Sequence, residues 1–280
     1  MFAYDYLKVA LRYKRKMGRW GRILKPALFS EKIQWLKLYD HNPSYTGMAD
    51  KVDAKDFATR ILGPGHVIPT ISVCDSVEEI DWDSLPAAFV MKCAHDSGGI
   101  VVVRDKSELD RKKAESFLRK RLKRSFWSHR NEWAYKDVPH RIIIEEYIEN
   151  ENEPEAGLVD YKFMCFDGKA VNVMLCIDRA KHDVKYYFFD RERNLLRINQ
   201  FGKAAPEGFT LPLPDNLEEM FDCAEKLSRG LPFVRVALYN VKGRILFGEM
   251  TFYPKSGLDN DLLPETDIAL GELLRLPSSK

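Results

Sequence analysis

The sequence contains no apolar run long enough to cross a bilayer, no CxxC pair or cysteine–histidine spacing of the zinc type, and no serine or cysteine set in a nucleophile elbow. Its histidines, His41, His66, His95, His129, His140 and His182, include no pair at metal-ligand spacing. Membrane-spanning topology, structural zinc and hydrolase chemistry are therefore without support. Cysteine is scarce and odd in number: Cys74, Cys93, Cys165, Cys176 and Cys223 lie far apart among apolar neighbours, which reads as reduced packing residues rather than a disulfide framework. Residues 1–25 lack the apolar core of roughly 7–15 residues and the small-residue cleavage site of a secretory signal, so the expected location is the cytoplasm. Internal repeats and low-complexity tracts are missing too.

Net charge is also nearly absent, +2 from 44 basic and 42 acidic residues, which gives no steer toward nucleic acid. The balance is uneven along the chain. Residues 1–25 carry eight basic side chains (Lys8, Arg12, Lys14, Arg15, Lys16, Arg19, Arg22, Lys25) against Asp5 alone, which leaves the remainder acidic. A solvated helix face explains most such runs; the functional alternatives are an anionic membrane surface or an anionic glycan. What is present otherwise is an ordinary globular composition, 45% hydrophobic and 31% charged over 280 residues, enough for one large domain or two lobes sharing a cleft.

Apolar periodicity predicts helices within 1–38, over about 50–62 with Gly63-Pro64-Gly65 as its stop, over 107–124 and over 217–227. Strands are predicted at Val67–Val73, Phe89–Cys93, Ile100–Val103, Arg141–Tyr147, Lys185–Asp190, Val234–Tyr239 and Arg244–Phe252. A hairpin joins Asp160–Phe166 to Ala170–Ile177 through Asp167-Gly168. Residues 199–216 read as turn-rich and 253–280 as a loop followed by a short helix. Helices with mostly antiparallel strands imply an α+β class in two lobes.

Three features could carry chemistry. Lys92 ends an apolar strand on the face of Val90 and Ala94, and His95-Asp96-Ser97-Gly98-Gly99 follows it with backbone N–H groups of the kind that cradle phosphates. A glycine turn with a snorkelling lysine is the plainer alternative. The strand Ile142–Ile144 emerges into Glu145, Glu146, Tyr147 and Ile148, a link able to meet a purine edge or ribose, or simply an exposed strand end. Parity puts Arg235, Ala237 and Tyr239 on one face, and Glu249 with Thr251 on one face of the next strand, where a carboxylate and a hydroxyl can reach one Mg²⁺ or form a cross-strand pair.

Their order, phosphate-type lysine and glycine loop, acidic hinge, hairpin with Asp160 and Lys162, then a late glutamate, resembles the ATP-grasp superfamily. It resembles the TupA-like branch in particular, associated with teichuronopeptide and capsular polysaccharide synthesis. The phrases that carry this are Phe29–Asp40, Asp50-Lys51, Ile68-Pro69-Thr70, Leu85-Pro86, the Lys92 strand, Glu145-Glu146-Tyr147, Asp160–Phe163, Phe233–Val236 and Phe247–Phe252, spread from about residue 5 to about residue 257.

The resemblance implies an ATP-grasp fold with the nucleotide between two α+β lobes: a basic helical segment 1–49, an N-terminal lobe 50–145 and a C-terminal lobe 146–280. It implies that Lys51 and Lys92 contact phosphates, that the loop bearing His95, Ser97, Gly98 and Gly99 closes over them, and that Glu145, Glu146, Tyr147 and Ile148 form the adenine hinge. Asp160 joins the nucleotide set. Lys162, Arg179 and Arg235 become the catalytic cations, and Glu249 with Thr251 the Mg²⁺ site. The implied reaction is ATP- and Mg²⁺-dependent amide ligation through an acyl phosphate, joining a uronic acid of a surface polysaccharide to an amino acid or amine, in the cytoplasm or peripherally at the inner membrane face, with no nucleic-acid partner. The alternatives are a glycosyltransferase or sugar kinase of the same pathway, or a binding relative with weakened turnover. The last is raised by Ala237, which stands where the family places a metal-binding aspartate. A substitute ligand such as Asn240 or Asp259, a weakened relative, and an introduced alanine all remain open at this stage.

Overall fold

The computed structural model describes residues 2–150, 157–177 and 184–277. The chain runs through α1 (Phe2–Met17), α2 (Phe29–Tyr39), α3 (Ser44–Ala49) and α4 (Asp53–Leu62), then β1 (Thr70–Cys74), β2 (Phe89–Cys93), β3 (Ile100–Val103), α5 (Arg111–Leu122), α6 (Phe126–Arg130) and β4 (Ile142–Glu146). It continues as β5 (Tyr161–Phe166), β6 (Lys169–Ile177), β7 (Lys185–Phe189), β8 (Leu195–Leu196), α7 (Gln200–Ala204), α8 (Leu217–Ser228), β9 (Phe233–Val241), β10 (Arg244–Thr251) and α9 (Pro264–Leu273). The strands form a four-stranded sheet, β1-β4-β2-β3, and a six-stranded sheet, β10-β9-β5-β6-β7-β8, both antiparallel. The α+β class and the two lobes follow directly.

Local sequence explains most of these elements. In β2, Phe89, Met91 and Cys93 are buried while Val90 and Lys92 are only partly covered, the alternation of a strand with one face on a core. Strand β5 is buried at every position, lying between β9 and β6 with α8 over its Phe163 face. The turns Asp167-Gly168 and Lys242-Gly243 take positive φ at both residues (50° and 76°, 53° and 81°), the requirement of a two-residue hairpin turn. Helix α4 stops at Gly63, whose φ of 93° excludes most side chains. Helix α8 buries Leu217, Met220, Ala224 and Leu227 as one stripe.

The larger sheet is covered by α8 on one face, where Phe163 meets Phe221 edge-on at 4.9 Å. On the other face, α2 covers one end only: Phe29 packs against Phe166 at 5.8 Å and Phe233 at 5.0 Å. The uncovered end of that face is the floor of the cleft described below. The smaller core gathers Phe89, Met91, Val103, Ile142 and Ile144 with Ala114 and Leu118 of α5.

Four expectations change. Helix α3 occupies Ser44–Ala49, where Asn42-Pro43-Ser44 suggested only punctuation. Strand β1 begins at Thr70 rather than Val67, since Pro69 has no N–H to give a ladder; Val67 instead bridges Phe247 at the edge of the larger sheet. Helix α7 forms inside the turn-rich stretch, its N-cap Asn199 accepting from Gly202 N. Finally, Ala54 and Ala58 of α4 lie in the core of the larger sheet, so the helical residues after 50 pack with that lobe and the smaller core begins near Cys74.

Phe163→Ala is expected to cost about 3–5 kcal/mol, read from the shift of the denaturant midpoint at unchanged slope. Val102→Ala, at a strand position 52% exposed, is expected to cost less than about 1 kcal/mol.

Candidate functional site

Register on the larger sheet sets the cleft floor. Ala237 of β9 lies opposite Lys162 of β5 and Glu249 of β10, and Arg235 lies opposite Met164 and Thr251. Directly opposed residues share a face, so Lys162, Ala237 and Glu249 form one row and Arg235 with Thr251 the next. A bulge at Gly248 brings Glu249 into that row; a Cβ at Gly248 would lie 3.1 Å from the Ala237 carbonyl oxygen. Thr251 Oγ1 donates to Glu249 Oε1 at 3.2 Å and accepts from Arg235 Nη2 at 3.4 Å, with Arg235 Nη2 also 4.0 Å from Glu249 Oε1. Lys162 Nζ pairs with Asp160 Oδ2 at 2.5 Å. Burial pushes the Lys162 ammonium below its ordinary value against the pull of Asp160, and Arg235 pushes the same way as burial.

The roof is the smaller sheet. Val90 and Lys92 face the cleft beside Val102 and Ile100, their partners on β3. With Ile68, Tyr147, Ile148, Leu158, Asp160 and Tyr239 these enclose about 930 Å³. Glu145 sits beneath this wall and is buried. Its Oε2 takes Lys92 Nζ at 2.6 Å and its Oε1 takes Lys55 Nζ at 2.6 Å, while Lys55 also donates to Thr70 Oγ1 at 2.8 Å. Burial alone would raise the Glu145 carboxyl; Lys92 and Lys55 outweigh it and hold it below the ordinary 4.5. Lys55 comes from α4, on the larger lobe, so this pair ties the lobes together.

The corner between α3 and α4 makes further ties. Lys51 donates its backbone N–H to Ala94 O at 3.4 Å and its Nζ to Asp96 O at 2.5 Å. Burial is the chief cause that lowers its ammonium, with Glu249 and Lys92 acting in opposite senses, which places Lys51 between the floor and the roof. Arg141 bridges Asp50 and, at 3.0 Å, Asp53.

Lys92, Asp160, Tyr147 and Ile148 line the cleft. Lys162, the ion partner of Asp160, lies in one row with Glu249, next to Arg235 and Thr251, and Lys51 is within electrostatic reach of both Glu249 and Lys92. Ser97 and Gly98 are exposed at the tip of their loop. Glu145 and Glu146 line the cleft beside Tyr147 and Ile148; the Glu145 carboxylate is taken up by Lys92 and Lys55, and Glu146 is exposed with its N–H bonded to Pro69 O at 3.1 Å. Other expectations require correction. His95 is buried and stacked on His140 at 3.8 Å rather than presented to a ligand; burial is the main reason its pKa falls to about 4, which keeps it neutral. Gly99 is buried beside the Arg121–Asp96 ion pair, where a Cβ would lie 2.8 Å from Arg121 Nε, so its smallness serves that pair. Asn240 lies on the opposite face of β9, donating to Asn216 Oδ1 at 2.7 Å, and is no substitute for a carboxylate at 237. Arg179 lies outside the described residues. Lys55, Arg121 and Arg141 escaped sequence reasoning because their partners are distant in the chain; an acid pair facing a lysine strand was the only available cue.

Among the described residues, no group of three or more His, Cys, Asp or Glu gathers as a metal cage. The Glu249–Thr251 pair is nevertheless an all-oxygen donor set of the kind Mg²⁺ accepts when phosphates and waters supply the remaining positions. It suits one ion; the methyl of Ala237 offers nothing to a second.

A sequence model of the TupA-like ATP-grasp family matches residues 31–275. No curated protein sequence is similar enough to this chain to count as a relative. Among solved structures, the chain is similar to D-alanine–D-alanine ligase from Bacillus anthracis complexed with ATP, at 17% identity and TM-score 0.45 over 80% of this chain and 60% of that one. The same enzyme from Helicobacter pylori gives 14% and 0.48 over 83% and 59%. A biotin carboxylase complex from Campylobacter jejuni gives 17% and 0.44 over 89% and 49%. The chain thus spans about 60% of the length of the two D-alanine–D-alanine ligases.

Glu145→Gln is expected to destabilise the fold by about 3–5 kcal/mol at neutral pH, because two lysines lose their buried partner. The Glu145 carboxyl is held low in the fold, so its contribution is full above the ordinary 4.5 and disappears as pH falls through its native value. Melting temperatures of the two proteins are therefore expected to converge on acidification; a constant gap would contradict the ion-pair reading.

Proposed function

The chain belongs to the TupA-like ATP-grasp family, and from that premise we propose that it is an ATP-dependent ligase, using Mg²⁺ and joining a carboxylate to an amine through an acyl phosphate. The observation that supports this best is that Lys92 and Asp160 line the cleft of about 930 Å³, while Lys162, the ion partner of Asp160, shares a row with Glu249 next to Arg235, and Lys51 is within electrostatic reach of both Glu249 and Lys92. In this reading the apolar wall of Val90, Ile100 and Val102 receives the base, and Tyr147-Ile148 runs along its edge. Lysine heads are compact point charges suited to a phosphate chain. Glu249 and Thr251 hold Mg²⁺, which when bound would neutralise phosphate charge.

The chemistry follows the charge layout. A carboxylate oxygen attacks the γ-phosphorus and ADP leaves with the bond electrons. The amine nitrogen then attacks the acyl carbon, phosphate leaves, and the amine gives up a proton. Arg235 and Lys162 stand where negative charge grows on the transferred group and then on the acyl oxygen. Past Arg235 the face opens into a smaller cavity floored by Met164, Met174 and Phe188, with Asp259 at its rim. At about 30 Å³ this cavity admits no more than a water-sized group. The donor in this reading is a uronic acid of a surface polysaccharide and the acceptor an amino acid or amine.

Ala237 favours a second reading, a relative that binds nucleotide with weakened turnover, since it is 1% exposed between Lys162 and Glu249 and gives the metal no carboxylate.

Lys92→Met is expected to weaken ATP binding at least about tenfold by calorimetry. Ala237→Asp is expected to lower the Mg²⁺ concentration needed for ATP consumption by roughly tenfold or more. ATP that binds but is consumed by neither protein, with any sugar acid and amine offered, would leave the binding-only reading in place of the ligase.

A further inference from the structure

Helix α1 meets the rest of the chain through Val9, Ala10 and Tyr13, which are buried together with Ile23 and Leu38 or against α2. Its opposite face is not apolar-poor, as a solvated helix would be. Tyr4, Leu7 and Leu11 are 63%, 53% and 50% exposed, and their spacing of three and four residues places them in one row along the helix. Trp20, 55% exposed, joins that row: Lys14 lies over its ring at 4.6 Å, as Lys8 lies over Tyr4 at 4.2 Å.

Lys8, Lys14 and Arg15 fall on the same side of the helix and flank the apolar row, with Lys16 at its end and Asp5, the one acid of the helix, turned to Asn131 at 2.9 Å. An apolar row with aromatic ends, bordered only by cations on a chain whose remainder is acidic, has the layout of a helix that lies in a membrane interface. A purely solvated face would need the charges but not the leucines, and a binding site for a soluble polyanion would likewise leave Leu7 and Leu11 without a role.

We propose that the outer face of α1, with Trp20, docks the protein on an anionic lipid bilayer, the apolar row entering the headgroup boundary and the basic residues meeting lipid phosphates. No activity depends on this surface in the ligase reading, yet the two are mechanically joined. Tyr13, on the inner face of the same helix, shares a hydrogen bond of 2.9 Å with Ser30, and Ser30 lines the cavity beside Arg235. Docking through α1 would hold Arg235 and the sheet face that carries it close to lipid-borne substrates, a consequence that rests on the ligase reading.

The test is sedimentation of the full chain with vesicles of phosphatidylglycerol and phosphatidylcholine, and with phosphatidylcholine alone. Binding to the anionic vesicles is expected to exceed binding to the neutral ones by about a hundredfold, and Lys8→Glu/Lys14→Glu/Arg15→Glu to remove that excess. Leu7→Glu/Leu11→Glu is expected to weaken anionic-vesicle binding roughly tenfold or more at unchanged melting temperature, since both side chains are exposed. Quenching of tryptophan emission by brominated lipid is expected to fall in Trp20→Phe. Equal binding to both vesicle types, or anionic binding indifferent to the leucine pair, would overturn the proposal. So would alginate binding that needs the lysines while vesicles are ignored, which would assign the surface to a soluble glycan.

Discussion

The buried carboxylate of Glu145 is the tie between the lobes that also shapes the cleft. Glu145 stands at the end of β4 between Lys55, which α4 brings from the larger lobe, and Lys92, which β2 brings from the smaller. Taking a carboxylate out of water is costly unless cations replace the lost solvation, and here two do. Because one anion faces two cations, the cluster keeps a surplus positive charge, and the sheet geometry turns that surplus toward the cleft. Lys51, fixed to the Asp96 carbonyl, adds to it. The roof of the cleft is therefore an anion-attracting surface whose aim depends on the same contacts that set the spacing of the lobes.

The floor is closer to balance. Lys162 pairs with Asp160, Arg235 lies 4.0 Å from Glu249, and Ala237 between Lys162 and Glu249 carries no charge. A phosphate chain entering between the two surfaces would be neutralised more by side-chain cations and less by metal than in a site with two acidic ligands. In the proposed reading, ligase and binding-only behaviour are therefore separated by turnover and not by affinity. The outer face of α1 adds a second charged surface whose apolar row distinguishes it from the cleft.

Much of this was legible in the sequence, for identifiable reasons. The alternation Phe89-Val90-Met91-Lys92-Cys93 shows which way Lys92 points, and parity alone puts Arg235, Ala237 and Tyr239 together. Register is another matter: the bulge at Gly248 decides that Glu249 meets Ala237, and a single glycine in a strand does not announce it. The pairing of Glu145 with Lys55 has no local signal, because Lys55 lies 90 positions away and belongs to a helix that packs on the other lobe. His95 looked available inside a glycine loop; its stacking on His140 is a tertiary contact that no local pattern encodes. The basic run of the first 25 residues was visible, whereas the exposure of Leu7 and Leu11 depends on which face α2 covers.

The central claim is that one nucleotide bridges roof and floor. A crystal structure with Mg²⁺ and a non-hydrolysable ATP analogue tests it most directly. The expected result is a base against Val90 and Val102, terminal phosphates touching both Lys92 and Arg235, and a metal ion on Glu249. Phosphates that contact only one lobe, or a nucleotide outside the cleft, would contradict it.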